Sequence, residues 1–342
     1  MWTGRRPLVL LVLLLLRLQL TLQQRPKLGG SVNVFSRYGY LAVSMRVVPR
    51  NDSDTWIFRE PSLDVFRNVA PAPPKARRDD VLFDGDYHLE FCDNVRQLLQ
   101  AYFRDFTFEH LERPWRAFTG SWSRAMIAKH LGISASFVTG DHCYVLVRVS
   151  RFRDVKRLNT GPGSEYLHLD EDVAREAENV TIGDTASVIR FIKNFGSHYI
   201  SSYVTGNSLY QVFVYSPQTY LQIKRQLKSR GVAELSSIEL NNFFSPWNAE
   251  HMGAILSASG NRTVEYWAAE RLRVHLYIFT YASLLKLHGN GELLAQLDSL
   301  LGDEALLQLQ LRTLTPLFQD PKRRQWFLNV IDNYFKLWEV NI

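Results

Sequence analysis

The sequence predicts an α+β fold, and three of its patterns support that prediction. Residues 186–215 change from helical spacing to strand spacing within a short distance. Residues 142–149 are rich in valine and read as a central strand, and residues 293–338 carry leucine and aromatic stripes at helical steps. Apolar residues make up 46% of the chain and charged residues 22%, the balance of a globular protein.

The stretch with the helix-to-strand change is the most explicit part of the chain. A helix is predicted by apolar residues at three- and four-residue steps, namely Val188, Phe191, Ile192 and Phe195. Gly196 ends that stripe, and glycine is the usual residue where a helix stops. β-Branched and aromatic residues then favour strands over residues 199–204 and 209–215. Between these strands, Gly206 and Asn207 permit a bend or a bulge.

Five consecutive residues at this junction resemble the motif of the membrane-attack-complex/perforin (MACPF) family: Phe195, Gly196, Ser197, His198 and Tyr199. In that family the motif is followed several residues later by two glycines. Gly206 stands where the glycine pair begins, and Asn207 replaces its second member, although Asn tolerates positive φ better than most residues. The resemblance implies the bent antiparallel sheet, flanked by helical clusters, that perforin-like proteins share with cholesterol-dependent cytolysins. It gives the five motif residues and Gly206 a structural role.

The N-terminus has the pattern of a secretory signal. Arg5 and Arg6 precede an apolar run over residues 7–16, which Arg17 closes. The run is too short to span a bilayer, so we predict a signal peptide over residues 1–22 and an extracellular protein. The alternative is a buried N-terminal element.

Features of the secretory route recur along the chain. Acceptor sequences for N-glycosylation begin at Asn51, Asn179 and Asn261. The chain has two cysteines, Cys92 and Cys143, for which an oxidising compartment predicts one disulfide. Two buried free thiols are the alternative.

The other segments alternate predicted strands, helices and loops. Strand pairs are expected over residues 32–48 and 264–283, and a helix over residues 91–108. Residues 71–80, rich in Pro and in charge, are expected to be a linker or an exposed loop. The basic run at residues 75–78 is either a solvated part of that loop or a cleavage site for a dibasic secretory protease.

Leucine stripes predict a helical C-terminus. The first comprises Leu293, Leu294, Leu297, Leu300 and Leu301, and the second Leu306, Leu307, Leu311 and Leu314. Pro321 is a suitable first residue for a last helix. We therefore expect a signal peptide over residues 1–22, a MACPF-like domain over residues 23–290 and a helical C-terminal extension over residues 291–342.

The sequence lacks the motifs of common enzyme classes, and we expect no catalysis, no cofactor and no metal. His142 and Cys143 are adjacent in a predicted strand, so their side chains point to opposite faces. His198, at a corner between helix and strand, is expected to satisfy backbone groups rather than to act in catalysis. The aspartates over residues 79–86 lack the spacing of a calcium loop and are expected to be solvated.

Charge argues against nucleic acid as a partner and bears on pore formation. The formal net charge of +6 includes three arginines of the predicted signal peptide, which leaves a mildly basic chain of +3. Perforin-like pore formers insert two segments as β-hairpins, which the motif places at residues 150–182 and 221–244. The first carries charges at both odd and even positions of residues 165–178, so neither face suits lipid. The second is amphipathic both as a strand and as a helix.

The resemblance also implies a function. A lone perforin-like domain with a signal peptide, few cysteines and a helical tail is similar to secreted developmental members of the family. Such proteins help a receptor tyrosine kinase pathway become active locally at the embryonic poles, and they are held at the eggshell matrix or at the plasma membrane surface. The implied partner is an extracellular protein ligand or receptor of that pathway. The alternative is a pore-forming or membrane-perturbing effector.

Overall fold

A computed structural model describes residues 26–35, 63–67, 69, 71–72, 85–159, 168–231, 234–276, 278–302 and 305–341. The predicted signal peptide, the sequon at Asn51 and the basic run at residues 75–78 lie outside the described residues. Within them the α+β prediction is confirmed, because strands and helices both form and most strands join one curled, largely antiparallel sheet.

That sheet has nine strands within the described part of the chain. They are β1 (Gly30–Val32), β2 (Leu63–Asp64), β3 (Gly85–Cys92), β4 (Phe106–Phe108), β5 (Cys143–Arg157), β6 (His198–Tyr215), β7 (His251–Met252), β8 (Leu256–Ser257) and β11 (Ala305–Thr313). The other two strands, β9 (Arg273–Leu276) and β10 (Phe279–Ala282), form a separate antiparallel hairpin.

Strand β6 is the axis of the sheet. Along one edge it pairs antiparallel with β5, and beyond the end of β5 with β1. Along the other edge it pairs first with β11 and then with the short strands β8 and β7. Strand β3 extends the sheet beyond β5, and β4 extends it beyond β11 as the parallel neighbour of that strand.

Ten α-helices are described: α1 (Val95–Tyr102), α2 (Arg116–Thr119), α3 (Arg124–Leu131), α4 (Glu171–Glu178), α5 (Thr185–Phe195), α6 (Pro217–Arg230), α7 (Ser237–Phe243), α8 (Arg262–Arg271), α9 (Gly291–Leu300) and α10 (Pro321–Asn341). Their starts follow from local chemistry. The side chains of Asn94, Asp184 and Ser216 each accept a hydrogen bond from a backbone N–H in the first turn of α1, α5 and α6.

Both faces of the sheet are covered, because alternate residues of the central strands enter two different cores. Tyr144 and Leu146 of β5 pack with α1, α3, α5 and α10 in the first core. Val145 and Val147 pack with α6, α7, α8 and α9 in the second core. A strand buried on both faces reads as a continuous apolar run, which explains the valine-rich sequence of β5.

The C-terminal prediction is correct at both ends and wrong in the middle. Helices α9 and α10 form as expected, but the segment with the second leucine stripe is strand β11. This strand lies between β6 and β4, so residues 291–341 belong to the sheet as well as to its helical cover. The physical reason is that Leu309, Leu311 and Thr313 alternate with polar residues and are all buried, which is the period of a strand.

Two further predictions need correction. Residues 264–283 were expected to be two strands, but they begin in α8 and only then form the β9–β10 hairpin. Residues 91–108 were expected to be one helix, but it is limited to α1. Asn94 caps the start of α1, so Phe91 lies before the helix and belongs to β3.

Candidate functional site

The predicted motif residues form a buried corner where α5 turns into β6. Gly196 ends α5 with φ 86° and ψ 176°, a region that residues with side chains rarely occupy. A Cβ at Gly196 would lie 2.1 Å from the Ser31 hydroxyl and 3.0 Å from backbone atoms of Val32. The Ser31 hydroxyl itself donates to the carbonyl of Phe195. Glycine is therefore required here both by conformation and by the close approach of β1.

Ser197 ties this corner to the segment around β1. Its side chain has no exposed surface. The backbone N–H of Ser197 donates to the Val32 carbonyl at 3.0 Å, and the Val34 N–H donates to the Ser197 hydroxyl at 3.2 Å. The Ser197 carbonyl accepts from the Leu314 N–H at 3.0 Å, directly after β11. One residue thus links three separate parts of the chain.

His198 extends the same link to the loop after β4. Its Nε2 lies 3.1 Å from the Glu109 carbonyl, which can only accept, so Nε2 carries the proton. Its Nδ1 lies 2.9 Å from the Ser197 hydroxyl. The Glu109 carboxylate accepts from the backbone N–H of Thr313 at 2.6 Å and from its hydroxyl at 3.0 Å. The imidazole therefore belongs to a network that joins β6, β4 and β11.

Burial lowers the pKa of His198 to about 4. The hydrogen bond to the Glu109 carbonyl and the negative charge of the Glu109 carboxylate act in the opposite direction. The imidazole is therefore neutral at physiological pH, and it has no exposed surface from which to reach a substrate. Tyr199 is also buried and meets the ring of Phe66 edge-on, with centroids 5.2 Å apart. Phe195 is partly buried at the rim of the first core. All five motif residues thus contribute to packing or to backbone hydrogen bonds.

The predicted bend at Gly206 coincides with an irregularity of the sheet, because both strands that flank β6 shift register at this level. The register of β5 against β6 shifts between Phe152 and Asp154, and that of β11 shifts between Leu306 and Gln308. A Cβ at Gly206 would lie 2.0 Å from the backbone oxygen of Arg151, closer than real Cβ atoms come. Glycine is needed here because a neighbouring backbone lies against it, rather than for a positive φ.

Asn207, which departs from the family motif, fixes the bend through its side chain. The amide is fully buried. Its Nδ2 donates to the Ser259 hydroxyl at 2.9 Å, and its Oδ1 accepts from the Ser257 hydroxyl at 3.1 Å and from the Ser208 N–H at 2.8 Å. The two serine hydroxyls are 2.9 Å apart, which closes the network. A second glycine could make none of these side-chain contacts, and nothing in the sequence around Asn207 reveals them.

The bend is also tied to α9 on the second face. The guanidinium of Arg151 forms an ion pair with the Asp298 carboxylate, and both side chains are largely buried. Arg153, at the irregularity of β5, donates to the carbonyls of Leu301 at 2.7 Å and Asp298 at 3.1 Å. A cation at the C-terminal carbonyls of a helix is favourable in charge as well as in hydrogen bonding.

The predicted disulfide between Cys92 and Cys143 is not formed, and both thiols are free and buried. Cys92 lies opposite Tyr144 in the register of β3 and β5 and enters the first core, whereas Cys143 enters the second. The two sulfur atoms are thus on opposite faces of the sheet. Burial, with smaller contributions from the charges of Glu90 and Asp93, raises the pKa of the Cys92 thiol to about 12. Burial also raises the pKa of Cys143. Neither thiol is poised as a nucleophile.

Other predicted site residues lie apart from this corner. Asn179 is exposed just after α4, and Asn261 caps the start of α8 through its side-chain oxygen. His142 lies 3.0 Å from the Glu250 carboxylate, on the other side of β5 from the Cys143 thiol. Within the described ranges, no group of three or more His, Cys, Asp or Glu side chains is placed to hold a metal ion. No helix in that part of the chain combines the length and hydropathy of a membrane span.

The two segments that a perforin-like pore former would insert have different structures here. In the first, β5 runs to Arg157 and the next described helix is α4, whose exposed surface is largely charged. The second consists of α6 and α7, which pack on the second core through Tyr220, Ile223, Leu227 and Leu240. These buried residues cover the sheet, whereas Leu221 and Ile238 of the same segment are exposed.

Comparison with protein-family models and with curated proteins finds no match. Among solved structures, the chain is similar to GNIP1Aa from Chromobacterium piscinae, with 14% identity and a TM-score of 0.45 over 91% of this chain and 57% of that one. It is similar to a cell-invasion protein with a MAC/Perforin domain from Bacteroides thetaiotaomicron, with 9% identity and a TM-score of 0.39 over 89% and 59%. It is similar to Astrotactin-2, a vertebrate-specific, perforin-like membrane protein involved in neuronal development, with 14% identity and a TM-score of 0.32 over 90% and 44%. The chain spans less than two thirds of the length of each.

Proposed function

We propose that this chain is a secreted perforin-like protein without catalytic activity, similar to the insect Torso-like protein. In this proposal it promotes local activation of the Torso receptor tyrosine kinase pathway in embryonic terminal patterning. Its partner would be an extracellular ligand or receptor of that pathway, and the eggshell matrix or the plasma membrane surface would hold it in place. The observation that carries the proposal is the buried corner at residues 195–199 with the bend at Gly206, since both features of the motif have a structural use.

The chemistry of the candidate residues supports a role without catalysis. A general base needs a titratable group within reach of a substrate. His198 is enclosed, neutral and hydrogen-bonded to a backbone carbonyl. Cys143 is buried, with its sulfur 3.5 Å from the carbonyl of Asp93 and a raised pKa. An enzymatic activity that is lost in a folded His198→Gln or Cys143→Ser variant would contradict this part of the proposal.

The charge of residues 150–182, the first segment that a perforin-like pore former would insert, favours signalling over pore formation. Glu171, Asp172 and Arg175 of α4 are exposed, and as a membrane-spanning strand this segment would place charge toward lipid on either face. An arginine at the bilayer midplane costs about 2–4 kcal/mol in a β-barrel, and acidic residues cost less. A glycan on Asn179 would add a large polar group next to the same segment.

The alternative is a pore-forming or membrane-perturbing effector. It is supported by residues 221–244, the second segment that a perforin-like pore former would insert. Helices α6 and α7 are amphipathic and lie on the sheet rather than in its centre. An amphipathic segment with one apolar face has the composition that a lipid-facing strand also needs. This alternative requires both segments to leave the sheet.

Dye release from liposomes, combined with a receptor assay, separates the two functions. The glycosylated protein is added to dye-loaded vesicles and, in parallel, to cells that carry the Torso receptor and its ligand precursor. We expect increased receptor phosphorylation and no more leakage than with buffer alone. Leakage accompanied by ring-sized oligomers in electron micrographs would favour the pore-forming alternative. Absence of both effects would refute the proposed function.

A further inference from the structure

The β9–β10 hairpin exposes an apolar residue where a hairpin normally exposes a polar one. Its strands pair from Leu276 and Phe279 outward, so Ile278 lies in the short connection between them. Such connections favour Gly, Asn and Asp because these residues adopt the required turn conformations and are well solvated. Ile278 is instead 85% exposed, the highest value among the large exposed apolar residues of the described chain.

An exposed tryptophan stands beside this tip. Trp247 is 61% exposed and meets the ring of Phe279 edge-on, with centroids 4.9 Å apart. Phe279 itself is only partly buried. The hairpin is also attached to the body of the protein, because the Tyr281 hydroxyl donates to the carbonyl of Asn241 in α7 at 3.3 Å. The hairpin is thus held in place, with Ile278 exposed at its tip and Trp247 exposed beside it.

The charge of the same segment is of one sign. Residues 271–286 contain Arg271, Arg273 and Lys286 and no Asp or Glu. Lys286 donates to the carbonyls of Arg271 and Arg273 at 3.1 and 2.7 Å, which places its ammonium at the base of the hairpin. Arg273 is also paired with Glu270, just before the segment. The other face of the hairpin is polar, where His275 lies 3.0 Å from the Thr280 hydroxyl.

These features match the chemistry of a lipid surface. Aliphatic side chains enter the acyl region, and Trp and Tyr favour the level of the headgroups. Arg and Lys near the surface are attracted to anionic headgroups, and the attraction is weakened by salt. A protein partner would also accept an apolar patch, but an apolar tip above a cationic base is the arrangement that an anionic membrane complements.

We propose that the β9–β10 hairpin, with Trp247 at its side, docks on the surface of anionic lipid membranes without spanning them. The hairpin is too short to cross a bilayer, since each strand has four residues where a transmembrane strand needs about 9–11. This inference deepens the proposed function, because it rests on the chain acting outside the cell and identifies the part that would hold it at the plasma membrane.

Vesicle sedimentation with a matched pair of variants tests the proposal. The whole protein, Ile278→Ser and Val340→Ser are each mixed with vesicles of phosphatidylcholine alone or of phosphatidylcholine with phosphatidylserine. Val340 is the matched control, because it is 84% exposed but lies in α10 rather than in the hairpin. We expect the unaltered protein and Val340→Ser to sediment with the anionic vesicles. Ile278→Ser should bind about tenfold less tightly, since burial of one isoleucine side chain contributes roughly that factor.

Three results would overturn the proposal. They are equal vesicle binding by the two variants, equal binding to neutral and anionic vesicles at low and high salt, and no binding by the unaltered protein. A clear fall in the thermal midpoint of Ile278→Ser relative to Val340→Ser would also overturn it, because Ile278 would then be covered by the protein itself. A dimer in sedimentation velocity that Ile278→Ser abolishes would assign the patch to a second copy of the chain.

Receptor phosphorylation, measured on the same preparations, separates this proposal from the proposed function. Vesicle binding that is absent while phosphorylation is retained refutes the hairpin proposal alone. Vesicle binding that is retained while phosphorylation is absent refutes the signalling function and leaves a lipid-docking protein.

Discussion

Ser197 and His198 in the corner between α5 and β6 have no exposed surface, whereas Ile278 in the β9–β10 hairpin is 85% exposed. The corner encloses polar groups and satisfies them with hydrogen bonds to three other segments. The hairpin leaves an apolar side chain in water. Removal of a partner from a buried polar group lowers the free energy of unfolding of the protein, while an exposed apolar group contributes little to it. Substitutions in the two regions should therefore be detected by different measurements.

The largest expected effect is at the bend, a few residues along β6 from the corner. Gly206→Ala forces a Cβ into the backbone oxygen of Arg151, and we expect a loss of about 4 kcal/mol or more, or no folded protein. Gly183→Ala is the control, because Gly183 has φ 87° but no atom within 4 Å of the added Cβ. It should cost only about 1 kcal/mol for the positive φ. Equal midpoints of the two variants in urea unfolding would show that the bend accommodates a side chain.

Acid should destabilise the corner through His198. The folded state keeps this group neutral down to about pH 4, whereas the unfolded chain binds a proton below its ordinary pKa of 6.5. The unfolded state therefore binds more protons between these pH values, and stability falls as the pH is lowered through that window. The full shift corresponds to roughly 3 kcal/mol.

The measurement is urea unfolding at several pH values for the unaltered protein and for His198→Gln, whose amide can still donate to the Glu109 carbonyl. The variant should lose less stability on acidification. The difference between the two curves isolates His198, because His130 and His251, whose pKa values burial also lowers, are present in both proteins. Parallel curves would place the titration elsewhere.

A smaller effect is expected at Asn207. Asn207→Ala leaves the buried hydroxyls of Ser257 and Ser259 to pair with each other and removes their shared partner. We expect a loss of about 2 kcal/mol. Asn207→Gly, which restores the glycine pair of the family motif, should lose at least as much, because glycine also adds freedom to the unfolded chain. A glycine variant as stable as the original protein would mean that the amide network contributes nothing to the bend.

The smallest effect on stability is expected in the hairpin. Ile278→Ser should change the free energy of unfolding by no more than about 0.5 kcal/mol, as is usual for exposed positions. If the thermal midpoint falls as far as it does for Asn207→Ala, the contrast between the corner and the hairpin is lost.

The parts of the fold that the sequence predicts are those whose signals are local. The corner was predictable because its signals are local: helical spacing, a glycine stop and strand spacing within residues 186–215. Strand β5 was predictable for the same reason. The alternation of Leu309, Leu311 and Thr313 was also present in the sequence, but neighbouring leucines at helical steps concealed it. A short apolar run often fits both periods, and only its neighbours in the sheet decide between them.

The tertiary features of the site had no local signal. Asn207 meets Ser257 and Ser259 across about fifty residues of chain, and Arg151 meets Asp298 across a still longer stretch. The disulfide prediction failed for a related reason, since the sequence does not show that β3 and β5 pair with Cys92 opposite Tyr144. The spacing of residues along a chain reports which face they share only after the register is known.

The position of β11 has a consequence for how the chain is made. This strand follows β4 and β6 in the chain by many residues, yet it lies between them in the sheet. The edges of nascent β6 and β4 that face β11 therefore stay unpaired until β11 has been translated. Sheets closed by such distant pairings form slowly, and their open edges favour aggregation in the interval.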